Sequence, residues 1–287
     1  MAETQGVISE LTIYPVKSLQ GIQLKQAELT EYGLKWDRFW MIVNEDGLFT
    51  TQRHFNDMAK VKTQLTNESL ILSYPGMEDL IVSLEPRNLS PRSAKVWKSE
   101  CEVWDEGETA QRWLAKALGK WRGQTLSLVR MAPSFNRKVS ENHTDGASNN
   151  TFFADGYPYL VCNTASLTAL NTELIKQDFD AVSMSRFRGN IVVDTTDAFV
   201  EHNSKTLSFY QSSQQLHLCK PCQRCKVITI DQRDGSEPQP QQPFKTLSNM
   251  DHVNSKGAFF GQNAVVAEKA KSLLPITIAI GDKVSFS

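Results

Sequence analysis

The segment Leu218–Ile230, with the sequence LCKPCQRCKVITI, contains three of the five cysteines of the chain. Cys219, Cys222 and Cys225 form two overlapping C-x-x-C steps, and a β-rich run follows directly. The thiolate is the form of cysteine that acts as a nucleophile and as a ligand to soft metals. Nearby cations favour this form, and the segment carries three of them, Lys220, Arg224 and Lys226. The segment is therefore the first candidate for a reactive or metal-binding site.

The cysteine spacing alone leaves several kinds of site open. A zinc ribbon requires a second C-x-x-C or paired histidines, whereas the remaining cysteines, Cys101 and Cys162, are single and distant. A bacterial iron–sulfur run would need a fourth cysteine, and a structural disulfide is rare in a cytosolic chain. Three interpretations therefore stay open: a bound metal or redox centre, an inert or structural cluster, and a zinc site.

Length and charge restrict the general class of protein. The 287 residues are enough for two modest domains or one large one. The formal net charge is −1, so we expect no broad basic face for nucleic acid. The N-terminus has no apolar signal-peptide core, and no run approaches the roughly 18 apolar residues of a membrane span. We expect a cytoplasmic protein with reduced thiols that binds neither nucleic acid nor membranes.

Short β-rich runs separated by turn residues are spread over the chain, a pattern typical of barrels and sandwiches. Asp46-Gly47 predicts a hairpin turn between two such runs, and Glu106–Leu118 has the apolar spacing of a helix. The polar segment 132–151 is predicted to be a linker or mobile loop. Further strands are expected at Gly6–Val16, Lys60–Leu65, Ser69–Ser73, Leu80–Leu84, Ala94–Trp97, Cys101–Trp104, Thr125–Met131, Phe153–Cys162 and Val227–Ile230.

Several polar side chains occur where strands are expected to begin or end. Lys17-Ser18 follows the first strand in YPVKS, and a lysine, a hydroxyl and free backbone N–H groups can bind phosphate there. The alternative for this pair is a solvated turn. Arg38 in DRFW precedes the predicted hairpin and is a further candidate. Its alternative role is a surface ion pair with Asp37. Arg53, at the exit of the hairpin, is a weaker candidate.

Two further segments carry candidate residues. Arg188 and Asn190 lie in SRFRGN before an apolar run, and arginines that enter a buried strand are costly unless an anion meets them. The alternative is that both arginines of this segment, Arg186 and Arg188, point to water. A strand that ends at Cys162 leads into a helix that contains Ser166, with Asn163 or Thr164 as its N-cap. Free N–H groups at such a strand-to-helix turn suit an anion.

These landmarks, in this order, resemble the molybdenum cofactor sulfurase C-terminal (MOSC) domain family. They are YPVKS, DRFW, the Asp155–Leu160 segment with Ser166–Asn171, RFRGN, LCKPCQRC, FFGQN and IAIGDKVSF. The chain is most similar to the branch that contains bacterial YcbX-type proteins and the mitochondrial amidoxime-reducing component. The resemblance implies a mostly β (α+β) fold. It consists of an N-terminal β-rich MOSC-N domain (1–131), a polar linker (132–151) and a C-terminal MOSC β-barrel with a few short helices (152–287).

The resemblance also implies a cofactor and its ligands. The last cysteine of the C-x-R-C step, Cys225, is expected to bind molybdenum in a Mo-pyranopterin cofactor. The residues expected to contact the cofactor are Lys17, Ser18, Arg38, Ser166, Arg188, Asn190 and Arg224. The reaction implied is removal of oxygen from nitrogen in N-hydroxylated bases, amidoximes or hydroxylamines.

The electrons for such a reaction are expected to come from a separate flavin or iron–sulfur protein. The sequence has no ferredoxin-type cysteine spacing and no G-x-G-x-x-G fingerprint. Two alternatives remain. One is a cofactor carrier or sulfur-transfer protein that holds a persulfide on Cys225, without the pyridoxal-phosphate domain of the sulfurase. The other is a non-enzymatic barrel stabilised by zinc or a disulfide.

Overall fold

The computed structural model describes residues 3–85, 88–144, 146–250, 252–253 and 255–287. The strands in these ranges are β1 (Thr4–Ile13), β2 (Ile22–Leu24), β3 (Gln26–Thr30), β4 (Gly33–Leu34), β5 (Trp40–Val43), β6 (Lys62–Leu65), β7 (Ser69–Ser73), β8 (Leu80–Ser83), β9 (Ser90–Val96), β10 (Ser99–Asp105), β11 (Ser127–Met131), β12 (Tyr159–Asn163), β13 (Ile191–Asp194), β14 (Thr206–Phe209), β15 (Gln215–Gln223), β16 (Phe259–Val266), β17 (Ile276–Ala279) and β18 (Lys283–Phe286). The α-helices are α1 (Glu108–Leu118), α2 (Thr164–Ile175), α3 (Val200–Asn203) and α4 (Phe244–Asn249). Short 3-10 helices lie at Asn56–Lys60, Glu141–His143, Met184–Phe187, Lys226–Thr229 and Glu268–Leu273.

A closed barrel forms the larger part of the fold. Within the described residues, seven strands follow each other in the order β13-β12-β16-β15-β14-β18-β1, and β1 pairs back onto β13. The pairs are antiparallel except β12–β13, which is parallel and is connected through α2. A cluster of buried apolar side chains is built mainly on these strands, with members such as Ile8, Leu11, Val161, Ile191, Leu207, Leu216, Val284 and Phe286.

Strand β2 pairs with β1 beside the barrel. The other strands form three smaller sheets in the orders β5-β11-β10-β9, β6-β7-β8 and β17-β3-β4. Helix α1 covers the first two with an apolar stripe that its sequence predicts, since residues three and four apart share one helix face. The buried members of this stripe are Ala110, Trp113, Leu114, Ala117 and Leu118. The prediction of a mostly β fold with a barrel and few short helices is confirmed.

The first strand of the chain belongs to the barrel. β1 lies between β18 and β13, which come from the second half of the sequence. Segment 132–151 is packed rather than extended away from the protein: Arg137 is buried and donates to Phe152 O at 2.9 Å, and Val139 N donates to Asn149 O at 2.8 Å. The domain limits expected from the sequence stay a prediction. Strand β1, from the predicted N-terminal domain, pairs with strands of the predicted C-terminal domain.

One predicted strand is wrong. Val227–Ile230 lies largely in a 3-10 helix, Lys226–Thr229, instead of a strand. The backbone N–H of Ile228 donates to Cys225 O and that of Ile230 to Val227 O, both at 3.2 Å. The chain turns after Gln223, where β15 ends. Ile228, Thr229 and Ile230 are buried in this arrangement, and Val227 is half-buried. The β-rich run that predicted a strand therefore lies largely in a 3-10 helix.

The turn predicted at Asp46-Gly47 is present, although the second strand of the hairpin is reduced to a bridge between Val43 and Phe49. Gly47 has φ +74°, and a Cβ there would lie 2.7 Å from Ser93 O, so a side chain is excluded.

Among the described residues, no helix is long and apolar enough to cross a membrane.

A carboxyl group is buried beside the barrel, and no cationic side chain of the described residues pairs with it. Glu201 on α3 is fully buried, and its two carboxyl oxygens accept from Ser166 Oγ at 2.9 and 3.1 Å. Asn163 Nδ2 donates to the same group at 3.3 Å. No lysine or arginine forms an ion pair with it in the described part of the chain. Burial raises the pKa of Glu201 to about 7, in spite of these hydrogen bonds, because the charged form is poorly solvated.

We therefore expect Glu201 to make stability fall as the pH rises. A carboxyl with a raised folded-state pKa stabilises the protein below its unfolded pKa, and this contribution is lost as the pH approaches 7. The loss between pH 4.5 and 7 is on the order of 3 kcal/mol. Urea unfolding of the wild type and Glu201→Gln, compared across this range, should show curves that diverge. Parallel curves would contradict the assignment.

Candidate functional site

Cys225 lies where the chain leaves the barrel wall. Strand β15 carries Cys219 and Cys222 and ends at Gln223, and Arg224 N still donates to Ala258 O at 2.8 Å. Cys225 follows as the residue before the 3-10 helix, half-buried and facing a cleft. All five cysteines of the chain are free thiols. The cluster is therefore not held together by a disulfide, and Cys222 and Cys225 both line the cleft.

The cleft is strongly cationic. Of the described residues, five cationic side chains line it, against one carboxylate, that of Asp155. They come from distant parts of the chain and are Lys17, Arg38, Arg53, Arg188 and Arg224. Cations brought together in a partly buried space repel each other unless an anion balances them. The cleft is thus suited to an anionic ligand.

Lys17 is already partly balanced. Its side chain is 7% exposed, and Nζ donates to Asp155 Oδ1 and to Phe153 O at 2.8 Å. The Lys17 ammonium holds the pKa of Asp155 well below its usual range. Ser18 next to it has φ +69° and also lines the cleft. Both residues of the predicted Lys-Ser pair therefore line the cleft. The hydrogen bonds of Lys17 hold the segment that precedes β12 in place.

Arg38 and Arg188 lie together. Arg38 forms an ion pair with Asp37, donates to Asn190 Oδ1 at 3.0 Å, and donates to Arg188 O at 3.1 Å. The guanidinium carbons of the two arginines lie 4.4 and 4.1 Å from the centre of the Tyr14 ring. Cation–π contacts of this kind hold a guanidinium in place without neutralising it. Tyr14 was not among the residues that the sequence singled out.

Arg188 carries an unbalanced charge. It donates to Leu19 O at 2.8 Å and to Gln232 Oε1 at 2.9 Å, which are neutral acceptors. Burial lowers the pKa of Arg188 to about 10, which still leaves it charged at neutral pH. Its φ is +54° and that of Arg38 is +49°, in the left-handed region that is unfavourable for side chains of this size. The burial of the Arg188 charge and the positive φ of both arginines each lower the stability of the protein. Both unfavourable features occur where the two arginines line the cleft.

Two arginines lie against the thiols. Arg53 NH1 is 3.5 Å from Cys225 Sγ, so the residue ranked lower by sequence is the cation that contacts the key thiol. Arg224 NH1 is 3.0 Å from Cys222 Sγ, and its NH2 donates to Phe187 O at 2.8 Å. Arg224 Nε is buried and has no hydrogen-bond partner among the described residues.

Ser166 does not join the other predicted residues. Its hydroxyl is fully buried, donates to Glu201 and accepts from Phe199 N at 2.8 Å. It is not part of the lining of the cleft. Asn163 occupies the N-cap of α2, as expected, but it serves the helix, since its side chain accepts from Ala165 N. The strand-to-helix turn is thus used to bind a carboxyl group of the protein itself, and the expected role of Ser166 is corrected accordingly.

The described residues provide no set of ligands for a zinc ion. Among the residues that the structure describes, no three side chains of His, Cys, Asp or Glu come together as a metal-binding group. The cleft instead contains two half-buried thiols, those of Cys222 and Cys225, and a surplus of cations. This combination fits a ligand that brings its own metal and its own negative charge.

Two family models match the chain. The MOSC N-terminal beta barrel domain matches residues 5–121, and the MOSC domain matches residues 149–285. The chain belongs to the MOSC domain family. Both matched segments of this MOSC protein line the cleft, since Lys17 and Arg38 come from the first and Arg188 and Cys225 from the second.

The MOSC protein is similar to two groups of curated relatives. It is 28% identical to human mitochondrial amidoxime-reducing component 1, over 97% of this chain and 82% of that protein. It is 29% identical to human mitochondrial amidoxime reducing component 2, over 85% and 72%. It is 28% identical to bovine molybdenum cofactor sulfurase over 84% of this chain and 28% of the sulfurase.

Tyr14 should be required for ligand binding through its ring. Tyr14→Leu removes two cation–π contacts worth about 0.5–2 kcal/mol each, so the bound cofactor content of protein made in a cofactor-competent host should fall. Tyr14→Phe is the matched control and should retain the cofactor, because the hydroxyl makes no hydrogen bond with the described residues. Equal molybdenum and pterin contents in Tyr14→Leu and the wild type would show that the ring is not needed.

Proposed function

We propose that this MOSC protein is a molybdenum-cofactor-dependent reductase of N-hydroxylated compounds such as amidoximes, hydroxylamines and N-hydroxylated bases. The observation that carries the proposal is the meeting of the Cys225 thiol with a surplus of cations in one cleft. A thiolate is a suitable protein ligand for a soft metal, and guanidinium groups are suited to phosphate. The similarity to the amidoxime-reducing components supports the choice of substrate class.

In this proposal the residues of the cleft divide into two groups. Cys225 binds the molybdenum, and Arg53 NH1 lies 3.5 Å from its sulfur. Lys17, Ser18, Arg38 and Arg188 hold the anionic phosphate and pterin end. When bound, the cofactor supplies the two-electron chemistry that removes oxygen from nitrogen, and the protein binds and orients it.

Asn190 and Arg224 support these two groups from the protein side. Asn190 Oδ1 accepts from Arg38, which fixes the direction of that guanidinium. Arg224 is held between Cys222 Sγ and Phe187 O, which fixes its guanidinium beside the thiols at the wall of the cleft.

The electron donor is proposed to be a separate flavin or iron–sulfur protein. Of the five cysteines, Cys101 and Cys162 are buried in the core and the others belong to the strand and cleft around Cys225. Burial raises the pKa of the Cys101 and Cys162 thiols, which makes them poor metal ligands. We also propose that the protein works in the cytoplasm, where five free thiols remain reduced.

A sulfur-transfer or carrier function remains the alternative. It is favoured by one observation: Cys222, a second thiol with an arginine at 3.0 Å, lines the same cleft as Cys225. A carrier would bind the cofactor or hold a persulfide on Cys225 without turning over N-hydroxylated compounds. Reductase activity with benzamidoxime would decide for the reductase, and a persulfide without such activity would decide for transfer.

Cys225→Ser should abolish reductase activity, because a neutral hydroxyl is a poor substitute for a thiolate as a metal ligand. Cys222→Ser and Cys219→Ser are the matched controls from the same segment and should retain most of the activity. Reduction of benzamidoxime with a viologen donor measures the effect, alongside molybdenum content. Full activity in Cys225→Ser would remove this residue from the proposed metal site.

The purified chain should not reduce benzamidoxime with NADH alone. Turnover should appear when a flavin or iron–sulfur reductase, or reduced viologen, is added. The measurement is NADH oxidation together with benzamidine formation, with and without the added reductase. Sustained NADH-dependent turnover by the chain alone would show that it carries a second redox site.

A further inference from the structure

Trp97 is an exposed aromatic residue in an unfavourable backbone conformation. It opens the two-residue turn between β9 and β10 with φ +54° and is 48% exposed. Residues with a large side chain are rare in this left-handed region, where glycine and asparagine are preferred. Exposure of a tryptophan also forgoes the free energy of its burial. Two costs at one position indicate that the ring is kept for something other than stability.

The Trp97 ring is held rigidly from three sides. The Phe49 ring lies edge-on with its centre 5.2 Å from that of the indole. The Arg53 guanidinium carbon lies 4.8 Å from the ring centre, and the indole Nε1 donates to Asp155 Oδ1 at 3.1 Å. A solvent-exposed tryptophan with this many supports is a preorganised platform, so a ligand that stacks on it loses little entropy in ordering it.

The supports of Trp97 are themselves part of the cleft. Arg53 and Asp155 line it, and Arg53 NH1 is 3.5 Å from Cys225 Sγ. Asp155 forms the ion pair with Lys17. Trp97 therefore contacts two residues that line the cleft, and one of them, Arg53, contacts the Cys225 thiol.

We propose that Trp97 is a specificity-determining residue: its exposed ring stacks on the planar aromatic part of an N-hydroxylated substrate whose N–O group enters the cleft. The proposal rests on the proposed reductase function and specifies which substrates it prefers. Planar aromatic amidoximes gain a stacking contact that aliphatic amidoximes of the same reactive group lack. The residue touches the substrate away from the reacting atoms, so it sets affinity and leaves the chemical step to the cleft.

The test compares benzamidoxime with acetamidoxime, which differ in a phenyl and a methyl group. Trp97→Gly removes the ring, and glycine suits the positive φ, so the turn should still form. It should raise KM for benzamidoxime about tenfold, with little change in kcat and in either constant for acetamidoxime. Trp97→Phe keeps a ring without the bond to Asp155 and should stay within about twofold of the wild type.

Tyr210→Ala is the control variant, because Tyr210 is a 52% exposed aromatic residue on another turn, outside the lining of the cleft. It should change no constant. Calorimetric titration of the oxidised protein with benzamidoxime, without an electron donor, supplies a readout that does not depend on turnover. Weaker binding to Trp97→Gly, with unchanged molybdenum content, would support the platform.

Three outcomes would overturn the proposal. Equal loss for both amidoximes would show that Trp97 only supports Arg53 or Asp155. A change confined to the concentration dependence on the electron-donor protein would assign the ring to a protein contact. Equal affinity of wild type and Trp97→Gly for benzamidoxime would exclude stacking. Benzamidoxime that binds through Trp97 but is not reduced would instead contradict the proposed reductase function and leave the platform intact.

Discussion

The hydrogen bonds of the Asn190 side chain hold together the segments that form the cleft. Asn190 is buried, and its Oδ1 accepts from Leu160 N at 3.1 Å and from Arg38 NH1 at 3.0 Å. Its Nδ2 donates to Thr12 O at 3.1 Å. The backbone N–H of Thr12 donates in turn to the backbone carbonyl of Asn190 at 2.9 Å. One amide thus joins the end of β1, the start of β12, the entry to β13 and a cleft arginine. Removing it would leave several buried groups unpaired at once.

The cleft depends on this junction because its charges come from both halves of the chain. Closure of the barrel by β1 carries Lys17 and Ser18 to the side where Arg188 and Cys225 emerge. The cations are then held by neutral partners, such as Tyr14, more often than by carboxylates. The protein therefore keeps positive potential for a ligand at a cost in its own stability, as is usual for preorganised sites.

The sequence predicted those features that depend on local pattern. The stripe of α1 and the β6–β8 meander follow from spacing, and the order of landmarks led to Lys17, Arg188 and Cys225. Features that depend on contacts between distant segments could not be predicted. Trp97 and Arg53 meet only because β9 and the loop after β5 fold together. Ser166 has the right motif but meets the buried Glu201, a partner 35 residues away.

We propose that the cationic cleft around Cys225 holds a molybdenum cofactor. The most direct test is quantification of molybdenum and pterin in the wild type and Cys225→Ser purified from a cofactor-competent host. We expect both components in about equal amounts in the wild type, and loss of the molybdenum–sulfur bond from the protein, seen by X-ray absorption, in the variant. A wild-type protein that carries zinc, or neither molybdenum nor pterin, would contradict it.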